Sequence, residues 1–330
     1  MGFRMSELKT RILDMVKADL AEIETALVEN LKPNVELVST IAGHILFSGG
    51  KRLRPLLMVL CAKICHYQGG YDKTFSIIFE YLHAATLLHD DVVDGAQMRR
   101  GKPAAHSLWG GAAAVLTGDF LLARSLAIAA ETGNIRIIRT ISEITENMAQ
   151  GEIHQLMRKG DIHLSEAEYL EVIRRKTAVL FQGACRVSAL IADAPQGWEN
   201  ALADYGFHLG MAFQMADDLL DYTEDSLALG KTVGADLREG KLTLPVIYSL
   251  NAAGIKDRER MEAIITNTEF SVPEFQELVE YLKAHGGIDY TWQKANAHIA
   301  SAKTAIARFE PSVPREILMD VADYALKRKN

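Results

Sequence analysis

The chain has 330 residues, 48% of them hydrophobic and 24% charged, which is ordinary for a globular protein. The net charge of −7, with only short basic clusters, argues against a nucleic-acid-binding surface. Three cysteines exclude a disulfide framework and suit core positions. We identify no signal peptide, no transmembrane span of 18 apolar residues and no Pro/Ser/Gly-rich linker, so we expect a cytoplasmic protein with one domain over residues 1–330.

Apolar residues recur at three- and four-residue steps along most of the chain, which predicts amphipathic helices. These helices are predicted over residues 6–30, 35–47, 74–94, 135–156, 166–192 and 198–222. Residues 104–131 are predicted to form two apolar helices that break near Gly118. Because no strand-like alternation persists, the predicted fold is all-α.

Two acidic clusters stand out because each is embedded in apolar residues. Both have the pattern Asp-Asp-x-x-Asp, with Asp90, Asp91 and Asp94 in the first and Asp217, Asp218 and Asp221 in the second. On a helix the first and fifth positions share a face, about 40° and roughly 6 Å apart. Like charges at that spacing repel unless a cation lies between them, and Mg²⁺ binds carboxylates together with substrate phosphates. A solvated acidic face is the alternative, but two clusters in apolar helices favour a magnesium site.

Cations occur in short local groups near these clusters. Gly49-Gly50 allows an unusual turn before a helix, so that Lys51 and Arg54 share one face of its first turn. Free N–H groups at a helix start and two cations form an anion site, although a capping turn with solvated cations has the same pattern. Arg99 and Arg100 follow the first cluster, where they either compensate its charge or bind phosphates.

Further candidate residues are single polar side chains in apolar surroundings. His83 lies two turns before the first cluster and is either a satisfied core residue or a ligand-binding one. Lys176 lies in an apolar stretch, where a lysine either snorkels, pairs with a buried acid or points into a cleft. Residues 230–241, which include Lys231 and Lys241, suit either a phosphate-covering loop or a plain surface loop.

Two metal-binding helices, separate cations and an apolar interior suit a substrate with a diphosphate at one end and hydrocarbon at the other. Ionising an allylic diphosphate requires neutralisation of the leaving charge, which clustered Mg²⁺ ions provide as Lewis acids. The cation that forms is reactive, so the site must be dry and preorganised.

Several motifs occur together in a characteristic order. They are Gly49-Gly50-Lys51-Arg52-Leu53-Arg54-Pro55, the first acidic cluster with Arg99-Arg100-Gly101, Gly118-Asp119, Gly151-Glu152-x-x-Gln155, Lys176-Thr177, Phe213-Gln214-x-x-Asp217-Asp218-x-x-Asp221, and Gly230-Lys231 through Lys241-x-Thr243-Leu244-Pro245. With these motifs the chain resembles the trans-polyprenyl (isoprenyl) diphosphate synthases, most closely long-chain members such as octaprenyl diphosphate synthases. One departure is Gly111, where many long-chain members have Asn after Trp-Gly.

The resemblance implies an all-α isoprenoid-synthase bundle with a central hydrophobic cavity, and a homodimer. It implies that isopentenyl diphosphate is added to an allylic diphosphate in E configuration, with three Mg²⁺ per site and the released diphosphate as base. The implied metal ligands are the six clustered aspartates. The resemblance also implies that the allylic diphosphate is contacted by Arg99, Lys176, Lys231 and Lys241. Isopentenyl diphosphate would be held by Lys51, Arg54, His83 and Arg100. The developing allylic cation would be stabilised by Thr177 and Gln214.

Small residues before the first cluster imply a long product in this family. Ala85 and Thr86 leave the implied product tunnel open, and only Val92-Val93 separates the aspartates. We therefore expect a product destined for a quinone side chain, with Tyr81 as a possible deeper floor. Alternatives are a farnesyl or geranylgeranyl synthase, a non-catalytic subunit of a heteromeric synthase, a terpene cyclase and a structural helical protein. The intact second Asp motif argues against a cyclase and against a subunit that has lost its motifs.

Overall fold

The computed structural model describes residues 2–223, 234–267 and 269–327, and these are almost entirely helical. The first helices are α1 (Gly2–Leu31), α2 (Glu36–Leu46), α3 (Leu53–Ile64), α4 (Tyr71–Val93), α5 (Ala105–Trp109), α6 (Gly111–Ala130), α7 (Ile135–Met157) and α8 (Glu166–Ile173). A π-helical turn (Arg174–Ala178) leads into α9 (Val179–Ile191), which α10 (Gln196–Thr223), α11 (Ala235–Arg238), α12 (Leu244–Ala252), α13 (Ile255–Ile265), α14 (Val272–Ala284), α15 (Gly287–Ile306) and α16 (Val313–Lys327) follow. The two-residue strands β1 (Met98–Arg99) and β2 (Lys102–Pro103) pair antiparallel. The all-α prediction is confirmed.

Helix starts follow local sequence signals. Ser165 and Glu168 form a reciprocal capping box that begins α8, in which the Ser165 hydroxyl accepts from the Glu168 N–H at 3.2 Å. Ser271 and Glu274 repeat this arrangement at α14. Such boxes satisfy backbone N–H groups that would otherwise lack partners.

The centre of the bundle is formed by α4, α9 and α10. Helix α10 packs along α9 and α15, and α4 packs along α6 and α3. Tyr81 and Tyr205 are fully buried, and their hydroxyls donate to the carbonyls of Leu27 at 2.6 Å and Leu318 at 2.8 Å. These bonds attach α1 and α16 to the centre. Two of the cysteines are buried in the core, all three are free, and Cys65 is half-buried.

Gly118 does not break a helix, so that prediction is wrong. Helix α6 runs unbroken from Gly111 to Ala130, and the change of direction occurs at Gly110, whose φ is 85°. A Cβ atom at Gly118 would overlap the His89 ring, which lies against α6 with Nε2 3.1 Å from the Val115 carbonyl. The glycine therefore permits close packing of α6 on α4.

Helix α6 also corrects the expectation that no apolar span of membrane length exists. Its 20 residues are long and apolar enough to cross a membrane by length and composition, and 39% of its most apolar window is buried. One such helix is weak evidence for a membrane protein, because core helices of soluble proteins share these properties.

The π-helical turn is packed tightly against α7. A Cβ atom at Gly151 would lie 2.8 Å from the Arg175 Cβ and 3.0 Å from the Lys176 backbone nitrogen. Only glycine lets the two elements approach this closely, and π-helical turns are frequent at functional sites. This packing holds Lys176 and Thr177 beside the ends of α4 and α10.

Candidate active site

The two acidic clusters meet at a common pair of cavities. Asp90 from the last turn of α4 and Asp217 from α10 both line a main cavity of about 730 Å³. They also line an adjoining second cavity of about 330 Å³, together with Asp94 and Asp218. The expectation that two carboxylate-bearing helices face each other across one space therefore agrees with the structure.

The remaining two aspartates point to other partners and line neither cavity. Asp91 is 1% exposed and accepts a hydrogen bond from Arg99 Nε at 2.8 Å. Asp221 accepts from the backbone N–H groups of Ala235 at 3.1 Å and Asp236 at 3.2 Å. In this arrangement Asp91 orients Arg99, and Asp221 fixes the start of α11.

The environment of the cavity-facing carboxylates suits a divalent cation. Burial raises the pKa of Asp90 to about 6 and that of Asp218 to about 7, although Tyr169 donates a hydrogen bond to Asp218. The buried Oδ1 atom of Asp94 has no hydrogen-bond partner. Desolvated carboxylates of this kind are stabilised by a nearby positive charge.

The acidic residues fit a metal that is shared with a ligand. In the described part of the chain, no three His, Cys, Asp or Glu side chains are grouped so that they could hold a metal ion by themselves. Mg²⁺ commonly takes only one or two protein carboxylates and completes its shell with water and substrate phosphate. The residues present therefore fit Mg²⁺ bound jointly with an anionic substrate.

Lysines lie directly beside the first cluster. Lys241 Nζ donates to Asp94 at 2.8 Å, and this bond holds the pKa of Asp94 below its ordinary value despite the opposing effect of burial. Lys176 Nζ donates to Gln155 at 2.9 Å, forms an ion pair with Glu152 and lies 3.6 Å from Asp90. Lys231 lies outside the described residues.

A second group of cations also lines the main cavity. It comprises Lys51, Arg54 and Arg100, together with His83. Arg100 donates to the Gly49 carbonyl, and the Arg54 guanidinium lies 4.7 Å from the centre of the Phe181 ring. Burial lowers the pKa of His83 well below its ordinary value, and Arg54 and Arg100 act in the same direction. The imidazole is therefore neutral.

Thr177 and Gln214 form one hydrogen-bonded chain with the second cluster. The Thr177 hydroxyl donates to Gln214 Oε1 at 2.8 Å, and Gln214 Nε2 donates to Asp218 Oδ1 at 2.7 Å. The Tyr169 hydroxyl donates to the other Asp218 oxygen at 2.6 Å. The chain fixes the orientation of the amide and of both carboxylate oxygens.

Beyond the charged residues the main cavity is lined by small and apolar side chains. Ala85 and Thr86 of α4 lie on its wall, as do Met148 and Ala149 of α7. Tyr81 does not line the cavity, and its hydroxyl is bound in the core. The suggestion that Tyr81 forms a floor is therefore wrong, because its side chain is fully buried and its hydroxyl is bound to the Leu27 carbonyl of α1.

Residues 35–282 match the sequence model of the family described as Polyprenyl synthetase. The chain belongs to this family. It is 36% identical over 318 residues to an octaprenyl diphosphate synthase of Escherichia coli, covering 96% of this chain and 98% of that protein. It is 34% identical to an all-trans-nonaprenyl-diphosphate synthase (geranyl-diphosphate specific) of Rhodobacter capsulatus, covering 98% of each chain. A polyprenyl synthase from Caulobacter crescentus, solved with calcium and isoprenyl diphosphate, superposes with a TM-score of 0.90 at 39% identity, covering 97% of this chain and 98% of that one. The protein is thus a prenyltransferase.

The residues of its cavities that were not identified from the sequence include one tyrosine and two acidic residues. Tyr169, Asp236 and Glu239 all line the second cavity. Tyr169 had no signal beyond its helical apolar spacing. Asp236 and Glu239 lie in the loop motif in which only the lysines were singled out. Burial and the neighbouring carboxylates raise the pKa of Asp236 well above its ordinary value.

Proposed function

We propose that this trans-polyprenyl diphosphate synthase makes a long-chain product, with octaprenyl favoured, for a quinone side chain. Isopentenyl diphosphate is condensed repeatedly onto an allylic diphosphate. About C30 to C50 is the expected length because the small side chains of Ala85 and Thr86 leave the cavity wall open to a growing chain, whose apolar units gain burial there. The observation that carries the proposal is one cavity of about 730 Å³ that is ionic beside Asp90 and Asp217 and apolar beside Ala85 and Met148.

The allylic diphosphate is assigned to the end of the cavity between the two acidic clusters. Mg²⁺, with three ions expected per site, is assigned to the six clustered aspartates, of which Asp90, Asp94, Asp217 and Asp218 line the cavities. When bound, the metal supplies Lewis-acid neutralisation of the leaving diphosphate. The negative oxygens of the allylic diphosphate are bound by Arg99, Lys176, Lys231 and Lys241.

Isopentenyl diphosphate is assigned to the cationic group of Lys51, Arg54, His83 and Arg100. Three permanent positive charges on one wall match the charge of a diphosphate, and arginine presents paired N–H donors to phosphate oxygens. Neutral His83 adds a hydrogen bond without further charge.

In the reaction the allylic carbon–oxygen bond breaks and a carbon–carbon bond forms to isopentenyl diphosphate. A proton then leaves the new chain, and the released diphosphate accepts it. The Thr177 hydroxyl and the Gln214 amide carry oxygen dipoles that stabilise positive charge developing on the allylic group. The hydrogen bonds from Thr177 to Gln214 and from Gln214 to Asp218 hold these dipoles in place, so they need no reorganisation during the reaction.

A homodimer in the cytoplasm is the proposed assembly. Helices α6 and α7 expose large apolar side chains, with Leu116 65%, Ile153 59% and Met157 77% exposed. A second copy that covers this face would bury them. Leu116→Glu should convert a dimer to a monomer in light scattering, whereas a wild-type protein that is monomeric at micromolar concentration would refute the assembly.

The central experiment is incubation with farnesyl diphosphate, labelled isopentenyl diphosphate and Mg²⁺, followed by separation of the products by carbon number. A long-chain synthase consumes both substrates and gives a long product only with metal. A terpene cyclase consumes the allylic diphosphate alone, and a non-catalytic subunit or a structural protein consumes neither. A product that stops at C15 or C20 identifies a short-chain synthase instead. Asp90→Ala should abolish turnover and is the matched inactive control.

A further inference from the structure

The turn between α2 and α3 is held by one buried arginine. Arg52 lies at the start of α3 with φ 46°, and its side chain is only 6% exposed. Its Nε donates to Glu24 at 2.6 Å, its Nη1 to Glu80 at 2.8 Å and its Nη2 to the Leu46 carbonyl at 2.7 Å. Every guanidinium nitrogen is engaged within the protein, so Arg52 ties α1, the end of α2 and α4 to the turn.

The same turn carries the cations of the main cavity. Lys51 and Arg54 flank Arg52, and Arg100 donates to the Gly49 carbonyl from the other side. A Cβ atom at Gly50 would lie 3.2 Å from Arg52 Nη1 and 3.4 Å from Arg100 Nη1. The backbone of the turn is therefore confined between two guanidinium groups.

Glu80 is the buried carboxylate that compensates this crowding of positive charge, whereas Glu24, the other carboxylate on Arg52, has a side chain that is 45% exposed. Glu80 lies on α4, is 5% exposed and is paired with Arg52 within a wall that also contains Lys51, Arg54 and Arg100. Removing one partner of a buried ion pair leaves an uncompensated charge, which the surrounding structure relieves by moving. Loss of Glu80 would leave Arg52 bound only to Glu24 and the Leu46 carbonyl. The turn that carries Lys51 and Arg54 would therefore lose its tie to α4.

We propose that Arg52 and Glu80 are positioning residues for isopentenyl diphosphate: their buried ion pair fixes the turn so that Lys51, Arg54 and Arg100 converge on one diphosphate. The inference rests on the proposed function, which assigns that substrate to this wall. Neither residue need touch the substrate, because each acts through the backbone and the flanking cations.

Substitution of Glu80 distinguishes a positioning role from a direct electrostatic role, because the two roles change KM for isopentenyl diphosphate in opposite directions. If Glu80 acts only through its charge, Glu80→Gln removes a repulsive carboxylate beside a diphosphate and lowers KM for isopentenyl diphosphate. If the ion pair positions the turn, the same substitution raises that KM. We expect a rise of at least about tenfold, or about 1.4 kcal/mol of binding free energy, with KM for farnesyl diphosphate changed less than about twofold.

Glu199→Gln is the matched control. Glu199 is 1% exposed, forms an ion pair with Arg136 and accepts from Arg186 at 2.9 Å, but it lines neither cavity. Both variants lose a buried charge pair, so both should lower the melting temperature, but only Glu80→Gln should change KM for isopentenyl diphosphate. Arg52→Lys, which keeps the charge but not the fixed fork of donors, should raise the same KM and decides the question if Glu80→Gln does not fold.

The inference is overturned if Glu80→Gln lowers this KM or leaves it unchanged, or if Glu199→Gln raises it equally. It is also overturned if Arg52→Lys binds isopentenyl diphosphate as the wild type does. The proposed function fails separately, and visibly, if the wild-type protein does not incorporate isopentenyl diphosphate at all.

Discussion

Filling the cavity wall at Ala85 should shorten the product. Ala85 is fully buried on α4 and lines the main cavity beside Thr86, so a tyrosine there projects into the space assigned to the growing chain. Each five-carbon unit that is denied burial forfeits about 4 kcal/mol, taken as five carbons at about 0.8 kcal/mol each. That loss would disfavour the next extension step by roughly a thousandfold.

Tyrosine also has a cost for folding. Inserting bulk into a packed position destabilises a protein by about 1–3 kcal/mol, which is less than the net stability of about 5–15 kcal/mol that is typical of folded proteins. We therefore expect Ala85→Tyr to fold, to keep its first condensations and to stop at least one five-carbon unit earlier than the wild type.

The assay is chain elongation from farnesyl diphosphate with labelled isopentenyl diphosphate, in which products are separated by carbon number. Ala85→Ser adds little bulk and should keep the wild-type product, as should Ala300→Tyr, which places the same ring at an exposed site on α15. An unchanged product from folded Ala85→Tyr would refute the reasoning, because Ala85 would then not bound the growing chain.

Three further predictions concern packing, hydrogen bonding and protonation. Gly206→Ala should lower the free energy of unfolding by about 1–3 kcal/mol in urea titrations, because the new Cβ would lie 2.5 Å from the Phe181 carbonyl oxygen in the backbone of α9, which cannot move aside. Tyr169→Phe should lower kcat about 10- to 100-fold, because it removes a hydrogen bond to the carboxylate of Asp218 worth about 1.5–3 kcal/mol. Burial, reinforced by His208, lowers the pKa of His298 to about 4, so the unfolded chain binds more protons between about pH 6.5 and about 4 and stability should fall as the pH drops through that window.

Each of these has a matched control. Gly43→Ala lies inside α2, meets only the Phe47 ring at 3.8 Å and should not lower stability. Tyr290→Phe removes a hydroxyl bonded to Glu166 at 2.8 Å, away from the cavities, so kcat should persist. His298→Asn should make the melting temperature less sensitive to pH than in the wild type. Equal losses in target and control, or an unaltered pH slope, would contradict the respective argument.

Some of the site could be predicted because it depends on spacing along one helix. Asp90 and Asp94 share a face through the helical repeat alone. The prediction that Lys51 and Arg54 share a face of one helical turn is wrong, because α3 begins only at Leu53. What spacing could not supply was the direction of each side chain. Asp91 is directed towards Arg99. Gly118 lies at a contact between two helices. A glycine in a sequence is compatible with either a helix break or a close helix contact, and only the position of the neighbouring helix distinguishes them.

The amino-acid sequence by itself determined the helices, the two acidic clusters and the family, since periodicity, charge and motif order are properties of neighbouring residues. Only the tertiary structure decided which groups act together. Tyr169 reaches Asp218 across 49 residues of chain, and Arg52 reaches Glu80 across 28. Such partners are chosen by the packing of whole helices, because burial makes an unpaired polar group costly and the fold must bring a partner to it from elsewhere in the chain.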